Sequence, residues 1–450
     1  MKDFTLAEIA KACNGEYVGD ESLKNTKITS VERDSRQVKN GSLFLAIKGE
    51  RVDGHDFIEK CFAQGAVCAL CEKAPENATK PCIVVPSTLD AVKKIGRAYR
   101  EKFDIPVIGI SGSVGKTSTK EMLYAVLSQK FKTHKTQGNL NNELGVPLTL
   151  LSMPEDTEAA VIEMGISDFG EMTRLSEMVQ PTICVLTIIG ECHLENLGDR
   201  DGVLKAKTEM FKNARENADF ILNGDDDKLS TVKTVNGKKP VFFGLDAKND
   251  FYAKNIKNSG DGKVLATLCF DNNNIDVEIP AIGTYMVTNA LAAAAAGKLL
   301  GLTDEEIANG VASYKTVGSR ANVINTGKIK IIDDCYNANP TSVRASLDTL
   351  SNLDGRKVAI LGDMKELGSE ELKLHFDTGV YAKSKGIGTV ITVGELAKEL
   401  AKGADGKVFD TIEDAKPEIL KTIKSGDVVL VKASHSMQFE NIVEFLKQNF

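Results

Sequence analysis

The sequence predicts an α/β protein of three domains: a small α/β N-terminal domain (1–104), a central domain on a parallel sheet (105–319) and a C-terminal, Rossmann-like doubly wound domain (320–450). A chain of 450 residues has room for about two to four domains. Apolar runs alternate with helical patterns in the second and third parts, which predicts parallel sheets covered by helices on both faces. A glycine-rich turn follows the first strand of the central part.

The N-terminal part contains short strand-like runs and ends in a helix. The runs are SLFLAI (42–47), AVCALC (66–71) and CIVVP (82–86), and the helix is 88–103. In the central part, the strand IPVIGISG (105–112) leads into a helix at 116–131. Its further strands are predicted at 159–165, 182–190 and 219–226, followed by antiparallel hairpins within 250–283 and an alanine-rich helix at 288–301. In the third part, strands at 328–334, 357–363, 389–394 and 427–434 alternate with helices such as 342–353.

Composition excludes several classes of protein. Hydrophobic residues make up 42% and charged residues 26% of the chain, which argues against disorder and fibrous repeats. The net charge of −7 argues against a general nucleic-acid binder, which needs a basic surface. No run is long and apolar enough to span a bilayer, and the N-terminus lacks a signal-peptide core. We therefore expect a cytoplasmic monomer with no membrane span and no nucleic-acid partner.

The nine cysteines show no framework spacing, so reduced thiols are expected. Cys68 and Cys71 form a CxxC pair near Cys61 and Cys82, but no four ligands fall in register for zinc. Cys68 lies in an apolar run, which favours a buried strand thiol over a metal ligand.

The strongest local signal is GISGSVGKTST (109–119), which has the strand–loop–helix context of a phosphate-binding P-loop. Glycines let backbone amides turn toward phosphate oxygens, and the helix N-terminus favours an anion. The predicted phosphate-binding residues are Gly112, Ser113, Val114, Gly115, Lys116, Thr117 and Ser118. Lys116 would reach the terminal phosphates and the Thr117 hydroxyl would ligate Mg²⁺. A P-loop indicates a nucleotide, and ATP is favoured because no guanine-reading NKxD segment is present.

Two further candidates stand at the carboxyl ends of predicted strands, where ligands collect in open α/β sheets. Glu163 ends the strand AVIEMG (160–165), and His193 follows the strand 182–190. A strand-end glutamate is as often simply exposed to solvent, and a single histidine is more often a packed or solvated residue than a ligand. Lys205 and Lys207 lie two residues apart on the next helix, and their pattern alone indicates no more than two solvated lysines.

These residues together resemble the Mur ligase family, the ATP-dependent amide ligases of peptidoglycan precursor synthesis. The matching segments are SGSVGKTS (111–118), TQGNLNNELGVP (136–147), Glu163-Met164-Gly165, His193 with AKTE (206–209), DCYNANPTS (334–342), LGDMKELG (361–368) and DSRQVKNGSLFLAIKGERVDGHDF (34–57). The resemblance therefore spans all three predicted domains. YNANP and GDMKELG are similar to the branch of the family that adds D-alanyl-D-alanine to a UDP-N-acetylmuramoyl-tripeptide.

The resemblance implies a role for each matching residue. Lys116 and Thr117 would hold the phosphates and Mg²⁺ of ATP, and Glu163 and His193 would ligate magnesium. Lys207 aligns with the lysine that the family carbamylates, which turns an ammonium into an anion able to bind Mg²⁺. The remaining implied contacts are Asn289 to adenine, Arg320 to the γ-phosphate, Asp334 to ribose, Ser35 and Arg36 to the uridine nucleotide, and Thr136, Asn139, Asn141, Asn142, Tyr336, Asn337 and Asn339 to the peptide substrates.

The chain departs from the family pattern at two places. Tyr285-Met286 replaces a His-Asn pair before the alanine-rich helix, where Tyr285 could stack on adenine. Ala433 and His435 stand in VKASHS (431–436) where the family often has Gly and Arg, which affects the expected dipeptide contacts.

The implied reaction joins a carboxylate to an amine and is driven by ATP, through an acyl phosphate, with Lys116, Lys207, His193 and Arg320 as the catalytic residues. The absence of a GxSxG or paired Cys-His signature agrees with a mechanism that needs no covalent nucleophile. Two alternatives remain open: another ligase of the family that adds a single amino acid, and a non-catalytic nucleotide-dependent assembly protein.

Overall fold

A computed structural model describes residues 1–259, 262–271 and 273–450 of the chain. Residues 260, 261 and 272, which belong to the predicted hairpin segment 250–283, lie outside the described residues. The α/β fold class is confirmed, and each predicted strand named above is present. The sheets fall into separate stretches of the chain that follow one another in sequence.

The first sheet has five strands in the order β1-β5-β4-β3-β2, with β1 as an antiparallel edge strand and the other pairs parallel. The elements of this region are α1 Leu6–Cys13, β1 Glu16–Val18, β2 Ser30–Glu32, β3 Ser42–Leu45, α2 Ile58–Ala63, β4 Cys68–Cys71, β5 Cys82–Val84 and α3 Thr88–Arg100. All nine cysteines of the chain are buried and free, as the pattern around Cys68 predicts.

The central sheet has six parallel strands in the order β11-β10-β9-β6-β8-β7 and is followed by a three-stranded antiparallel sheet, β12-β13-β14. The elements are β6 Val107–Ser111, α4 Lys116–Leu127, β7 Thr133–Lys135, α5 Gly145–Leu151, β8 Ala159–Glu163, α6 Glu171–Val179, β9 Ile183–Leu186, α7 Leu194–Leu197, α8 Arg200–Thr208, β10 Asp219–Asn223, β11 Val241–Phe243, β12 Tyr252–Ser259, β13 Lys263–Phe270, β14 Asn273–Ile279, α9 Tyr285–Leu299 and α10 Asp304–Ala312. Because β6 has β8 on one side and β9 on the other, the turns after these three strands meet at one edge of the sheet.

The third region is doubly wound, with six strands in the order β15-β16-β20-β17-β18-β19. The pairs are parallel except for β15, an antiparallel edge strand that the sequence pattern does not reveal. The elements are β15 Asn322–Asn325, β16 Lys330–Asp333, α11 Pro340–Ser351, β17 Arg356–Gly362, α12 Glu371–Ser384, β18 Thr389–Val393, α13 Ala397–Ala404, β19 Lys407–Phe409, α14 Ile412–Thr422, β20 Asp427–Lys432 and α15 Glu440–Asn449.

Helix α3 ties the first region to the second. The Tyr99 hydroxyl donates to the Met153 carbonyl oxygen at 2.9 Å, and the buried Arg100 guanidinium donates to the Val179 carbonyl oxygen at 2.9 Å. The apolar side chains of both regions form one continuous core. The predicted boundary near residue 104 is therefore not a break in the packing.

The alanine run of α9 is a packing feature. Residues Ala290 to Ala296 are buried, and a helix that is apolar all round belongs inside a domain. Small side chains let α9 lie close against α4, the helix that follows the glycine-rich loop. This packing sets the first turn of α9 beside that loop. In the part of the chain that the structure describes, we find no helix long and apolar enough to cross a membrane.

Candidate active site

The loop between β6 and α4 has the backbone of a phosphate-binding turn. Gly112 and Gly115 have φ angles of 148° and 84°, in the region that favours glycine. A Cβ atom at Gly112 would also lie 1.9 Å from the Thr187 hydroxyl oxygen, so the close approach of β9 requires glycine there. Helix α4 begins at Lys116, which leaves its first amide groups free to face an anion.

Lys116 folds back over this loop. Its ammonium donates to the Gly112 carbonyl oxygen at 2.8 Å, so it lies across the space that a phosphate would take. Burial lowers the pKa of Lys116, while the charge of Glu163 raises it and the charge of Arg320 lowers it further. The pKa of the Lys116 ammonium therefore depends on its burial and on charged groups from β8 and from the segment before β15.

Glu163, at the end of β8, is paired with the first turn of α4. The Thr117 hydroxyl lies 2.9 Å and 3.1 Å from the two carboxylate oxygens of Glu163 and donates to this carboxylate. The Asn141 amide donates to Oε1 at 2.8 Å, and the Glu163 amide donates to the Thr136 hydroxyl at 2.9 Å. The alternative of an exposed strand-end glutamate is wrong, because Glu163 is 1% exposed.

The asparagine-rich segment divides into three parts. Asn141 and Thr136 belong to the Glu163 cluster. Asn142 instead accepts bonds from the Leu144 and Gly145 amides and so fixes the start of α5. Asn139 is exposed, and its carbonyl oxygen accepts from the Asn141 amide. Substrate contact by Asn139 and Asn142 stays a prediction.

Sequence reasoning missed a buried lysine behind Glu163. Lys120 is 1% exposed, and its ammonium lies 3.5 Å from Glu163 Oε2 and 3.2 Å from Glu121 Oε1. Glu121 also pairs with Lys135. The signal in the sequence is the spacing: Lys120 stands one helical turn after Lys116, on the side of α4 that faces β8. A buried cation therefore lies beside the Glu163 carboxylate, on the side of α4 that faces β8.

The loop after β9 packs against the phosphate-binding turn from the other side. The Thr187 hydroxyl donates to the Val114 carbonyl oxygen at 2.6 Å. The Gly190 amide and the Cys192 thiol both donate to the Ser113 hydroxyl oxygen, at 2.9 Å and 3.1 Å. The Ser113 side chain is thus used to fix the loop, and its backbone amide donates to the Ile188 carbonyl oxygen at 2.8 Å, so a contact of Ser113 with a nucleotide stays a prediction.

His193 is the N-cap residue of α7 and has a φ of 53°. Its Nδ1 atom lies 2.5 Å from Glu366 Oε2, within ion-pair distance. This contact with His193 lowers the pKa of Glu366, a residue of the GDMKELG segment. The structure therefore joins His193 to the third region, and its role as a magnesium ligand stays a prediction.

Lys207 is the least solvated of the predicted site residues on α8. It is 1% exposed, whereas Lys205 is exposed and lies over the Phe169 ring. Burial lowers the pKa of Lys207 to about 8, with a smaller raising effect from Cys192 and a lowering effect from Lys116. The interpretation of Lys205 and Lys207 as two solvated lysines is therefore wrong for Lys207. Within the described part of the chain, the Lys207 ammonium has no ion pair or hydrogen bond.

Asn289 lies at the start of α9, next to the phosphate-binding loop. Its Oδ1 atom accepts from the Thr119 hydroxyl at 3.0 Å, and it would be the nearest side-chain atom to a Cβ placed on Gly115, at 3.6 Å. Tyr285 is half-buried one turn earlier, and desolvation raises its pKa. Asn289 therefore borders the space beside the loop, and the contacts of both residues with adenine stay predictions.

Arg320 forms a stack with two residues of the third region. Its guanidinium carbon lies 3.6 Å from the centre of the Tyr336 ring, on which His435 stacks with a centroid distance of 5.8 Å. The Tyr336 amide also donates to the Ser319 carbonyl oxygen at 3.1 Å. His435, which departs from the family pattern, is thus part of the support of Arg320. A planar guanidinium over an aromatic face keeps its edge donors available.

The Asp334 carboxylate already has three hydrogen-bond partners. Its Oδ2 atom accepts from the Lys432 ammonium and the Ser346 hydroxyl, each at 2.6 Å, and Oδ1 accepts from the Ala321 amide at 3.0 Å. Lys432 is buried and also donates to the Asn337 carbonyl oxygen at 3.0 Å. Asp334 therefore fixes the YNANP segment, and a ribose contact would have to use a remaining lone pair.

The last predicted residues have local structural partners. Asn339 caps α11, accepting from the Ser342 amide at 2.8 Å, and Asn337 is exposed. Arg36 is 84% exposed and pairs with Asp34, whose pKa its guanidinium lowers to about 2. Ser35 is half-buried between them. Roles of these residues toward substrates stay predictions.

The donor set around Glu163 fits magnesium. A hydroxyl and a carboxylate in contact are the oxygen ligands that Mg²⁺ takes, with phosphate and water oxygens filling the remaining positions. Among residues 1–259, 262–271 and 273–450, no group of three His, Cys, Asp or Glu residues could hold a metal by itself. The site therefore fits an ion that arrives with a nucleotide better than a metal held by protein ligands alone.

Comparisons with known proteins cover the whole chain. Models of three domains match: "Mur ligase family, catalytic domain" at 27–101, "Mur ligase middle domain" at 110–297, and "Mur ligase, glutamate ligase domain" at 319–435. The chain is 36% identical to UDP-N-acetylmuramoyl-tripeptide–D-alanyl-D-alanine ligase of Bacillus subtilis (strain 168), over 98% of both chains.

Solved structures agree with the sequence comparison. A crystal structure of MurF from Acinetobacter baumannii superposes with a TM-score of 0.92 at 32% identity, covering 100% of this chain and 99% of that one. MurF ligase from Thermotoga maritima in complex with ADP superposes with a TM-score of 0.84 at 30% identity, covering 93% of this chain and 97% of that one. The similarity therefore extends over all four sheets.

Proposed function

This chain belongs to the Mur ligase family, and we propose that it is the ATP-dependent ligase that joins D-alanyl-D-alanine to the terminal carboxylate of UDP-N-acetylmuramoyl-tripeptide. The product is a precursor of peptidoglycan. Because ATP and UDP-linked precursors are cytoplasmic compounds, we place the reaction in the cytoplasm. The observation that carries the proposal is a phosphate-binding loop with Lys116 folded over it and Glu163 of the neighbouring strand bonded to Thr117, in a chain that matches the ligase over 98% of its length.

The reaction divides into two steps. A carboxylate oxygen of the tripeptide attacks the γ-phosphorus of ATP, ADP leaves, and an acyl phosphate forms. The amine of D-alanyl-D-alanine then attacks the acyl carbon, inorganic phosphate leaves, and the amine loses a proton. Neither step needs a covalent bond to the protein. Catalysis therefore depends on positioning and on stabilising the charge that develops on the phosphoryl group.

Each charged residue has a part in this scheme. Lys116 would exchange the Gly112 carbonyl oxygen for phosphate oxygens, and Arg320, held by the Tyr336 ring, would donate its free edge to the γ-phosphate. Thr117 and Glu163 would hold Mg²⁺, which supplies neutralisation of phosphate charge when it is bound. Lys207, in the form of its carbamate, would add a second anionic ligand.

The test is ADP formation with UDP-N-acetylmuramoyl-tripeptide, D-alanyl-D-alanine, ATP and Mg²⁺, omitting each in turn. We expect ADP and the pentapeptide product only when all are present. Replacing the dipeptide by single amino acids should give no product. Equal turnover with a single amino acid would instead identify another ligase of the family, and nucleotide binding without phosphate release would contradict the enzyme.

Glu163 offers a test of the magnesium site. Glu163→Gln keeps the shape and the bond from Asn141 but removes the charge, so we expect half-maximal ADP formation to need about tenfold more Mg²⁺. A magnesium titration of the initial rate measures this shift. Glu155→Gln, at an exposed position before β8, is the matched control and should leave the titration unchanged. An unaltered magnesium requirement in Glu163→Gln would remove this residue from the site.

A further inference from the structure

The four residues 190–193 connect two parts of the molecule. Gly190 and Cys192 donate to the Ser113 hydroxyl of the phosphate-binding loop. The residues between and after them, Glu191 and His193, contact the third region of the chain instead. One short segment therefore contacts both the nucleotide loop and the third region of the chain.

Glu191 makes the direct contact with helix α11. The Thr341 hydroxyl donates to Glu191 Oε2 at 2.5 Å, and Arg344 Nη1 lies 3.9 Å from Oε1. Thr341 and Arg344 stand in the first two turns of α11, directly after the YNANP segment. A cavity of about 310 Å³ opens beside this contact and is lined by both regions.

The central region and helix α11 approach each other closely at Gly190, the residue before Glu191. A Cβ atom on Gly190 would lie 2.3 Å from the Thr341 hydroxyl oxygen, which is far inside van der Waals contact. Glycine at position 190 therefore lets α11 reach the segment. The Gly190 amide bonds to the Ser113 hydroxyl. A movement of α11 against Gly190 would therefore also displace the nucleotide loop.

We propose that Glu191 is a positioning residue that fixes α11, and with it the YNANP segment, over the nucleotide loop through its bond with Thr341. Only the expected change in kcat/KM for the dipeptide rests on the proposed ligase activity. In this role Glu191 does not touch the reacting groups. It sets the distance between the nucleotide and the third region, where we expect the dipeptide.

The experiment compares Glu191→Ala, Thr341→Val and the double variant in the full chain. Glu191→Gln keeps an oxygen acceptor for the Thr341 hydroxyl, and Glu195→Ala removes an exposed carboxylate from the adjacent helix as the matched control. Small-angle scattering in the presence of the ATP analogue AMP-PNP and Mg²⁺ reports the arrangement of the domains. Initial rates of ADP formation give kcat and KM for the dipeptide.

We expect Glu191→Ala and Thr341→Val each to enlarge the radius of gyration and to lower kcat/KM for the dipeptide about tenfold. The double variant should be no worse than Glu191→Ala alone, because both changes remove one bond. Glu191→Gln should recover most of the loss, and Glu195→Ala should match the wild type. Wild-type scattering in Glu191→Ala, or additive losses in the double variant, would overturn the inference. If the wild type forms no ADP with these substrates, the proposed function fails, while scattering with AMP-PNP still tests Glu191.

Discussion

Replacing Lys116 by alanine should lower the rate of ADP formation at least about 10³-fold while leaving the protein folded. Among the residues that the structure describes, the Lys116 ammonium bonds only to the Gly112 carbonyl oxygen of its own loop, and burial lowers its pKa. Its removal therefore relieves a desolvated charge and breaks no distant contact. The transition state, by contrast, loses the cation that faces the transferred phosphoryl group. Initial rates under saturating substrates measure the effect.

The control for this variant is Lys130→Ala. Lys130 stands just beyond the other end of α4, and its ammonium bonds to the carbonyl oxygens of Leu300 and Gly301. The Lys130→Ala variant should keep wild-type turnover. Thermal unfolding of Lys116→Ala should stay within about 3 °C of the wild type, which separates lost chemistry from lost fold. Wild-type rates in Lys116→Ala would remove the loop from the mechanism.

The edge of the central sheet could be predicted from sequence because its signals are local. A strand that ends in a Gly-rich turn and a helix places Lys116 and Thr117, and an apolar strand that ends in glutamate places Glu163 on the neighbouring strand. Parallel strands bring such ends together whatever the long-range packing. The contact between Thr117 and Glu163 therefore follows from periodicity and topology alone.

The contacts between distant segments could not be predicted in this way. The spacing from Lys116 places Lys120 on the side of α4 that faces β8, but it does not predict burial behind Glu163, because a lysine on a helix is normally solvated. Asp334 reads as a free strand-end carboxylate until β20 places Lys432 against it. Asn142 and Asn339 read as candidate ligands, yet Asn339 caps α11 and Asn142 accepts backbone amides at the turn before α5. Capping and ligand binding use the same side-chain chemistry, so only the backbone around an asparagine decides between them.

Replacing Lys207 by alanine should also abolish turnover, by at least about 10²-fold, if the lysine acts as a carbamate. A carbamate forms from the neutral amine, and burial lowers the pKa of Lys207 to about 8, so the neutral form is accessible near neutral pH. The described residues offer the ammonium no counter-ion, which is expected where the working form is an anion rather than a cation.

Rescue chemistry distinguishes this role from a structural one. Short carboxylic acids such as acetate should partly restore ADP formation in Lys207→Ala, because a carboxylate can take the place of the carbamate, while bicarbonate should not, because no amine remains to react. Lys205→Ala, on the exposed face of the same helix, is the matched control and should keep full activity without additives. A merely structural lysine would give a variant of lower thermal stability that carboxylates do not rescue. Full activity in Lys207→Ala would rule out the carbamate.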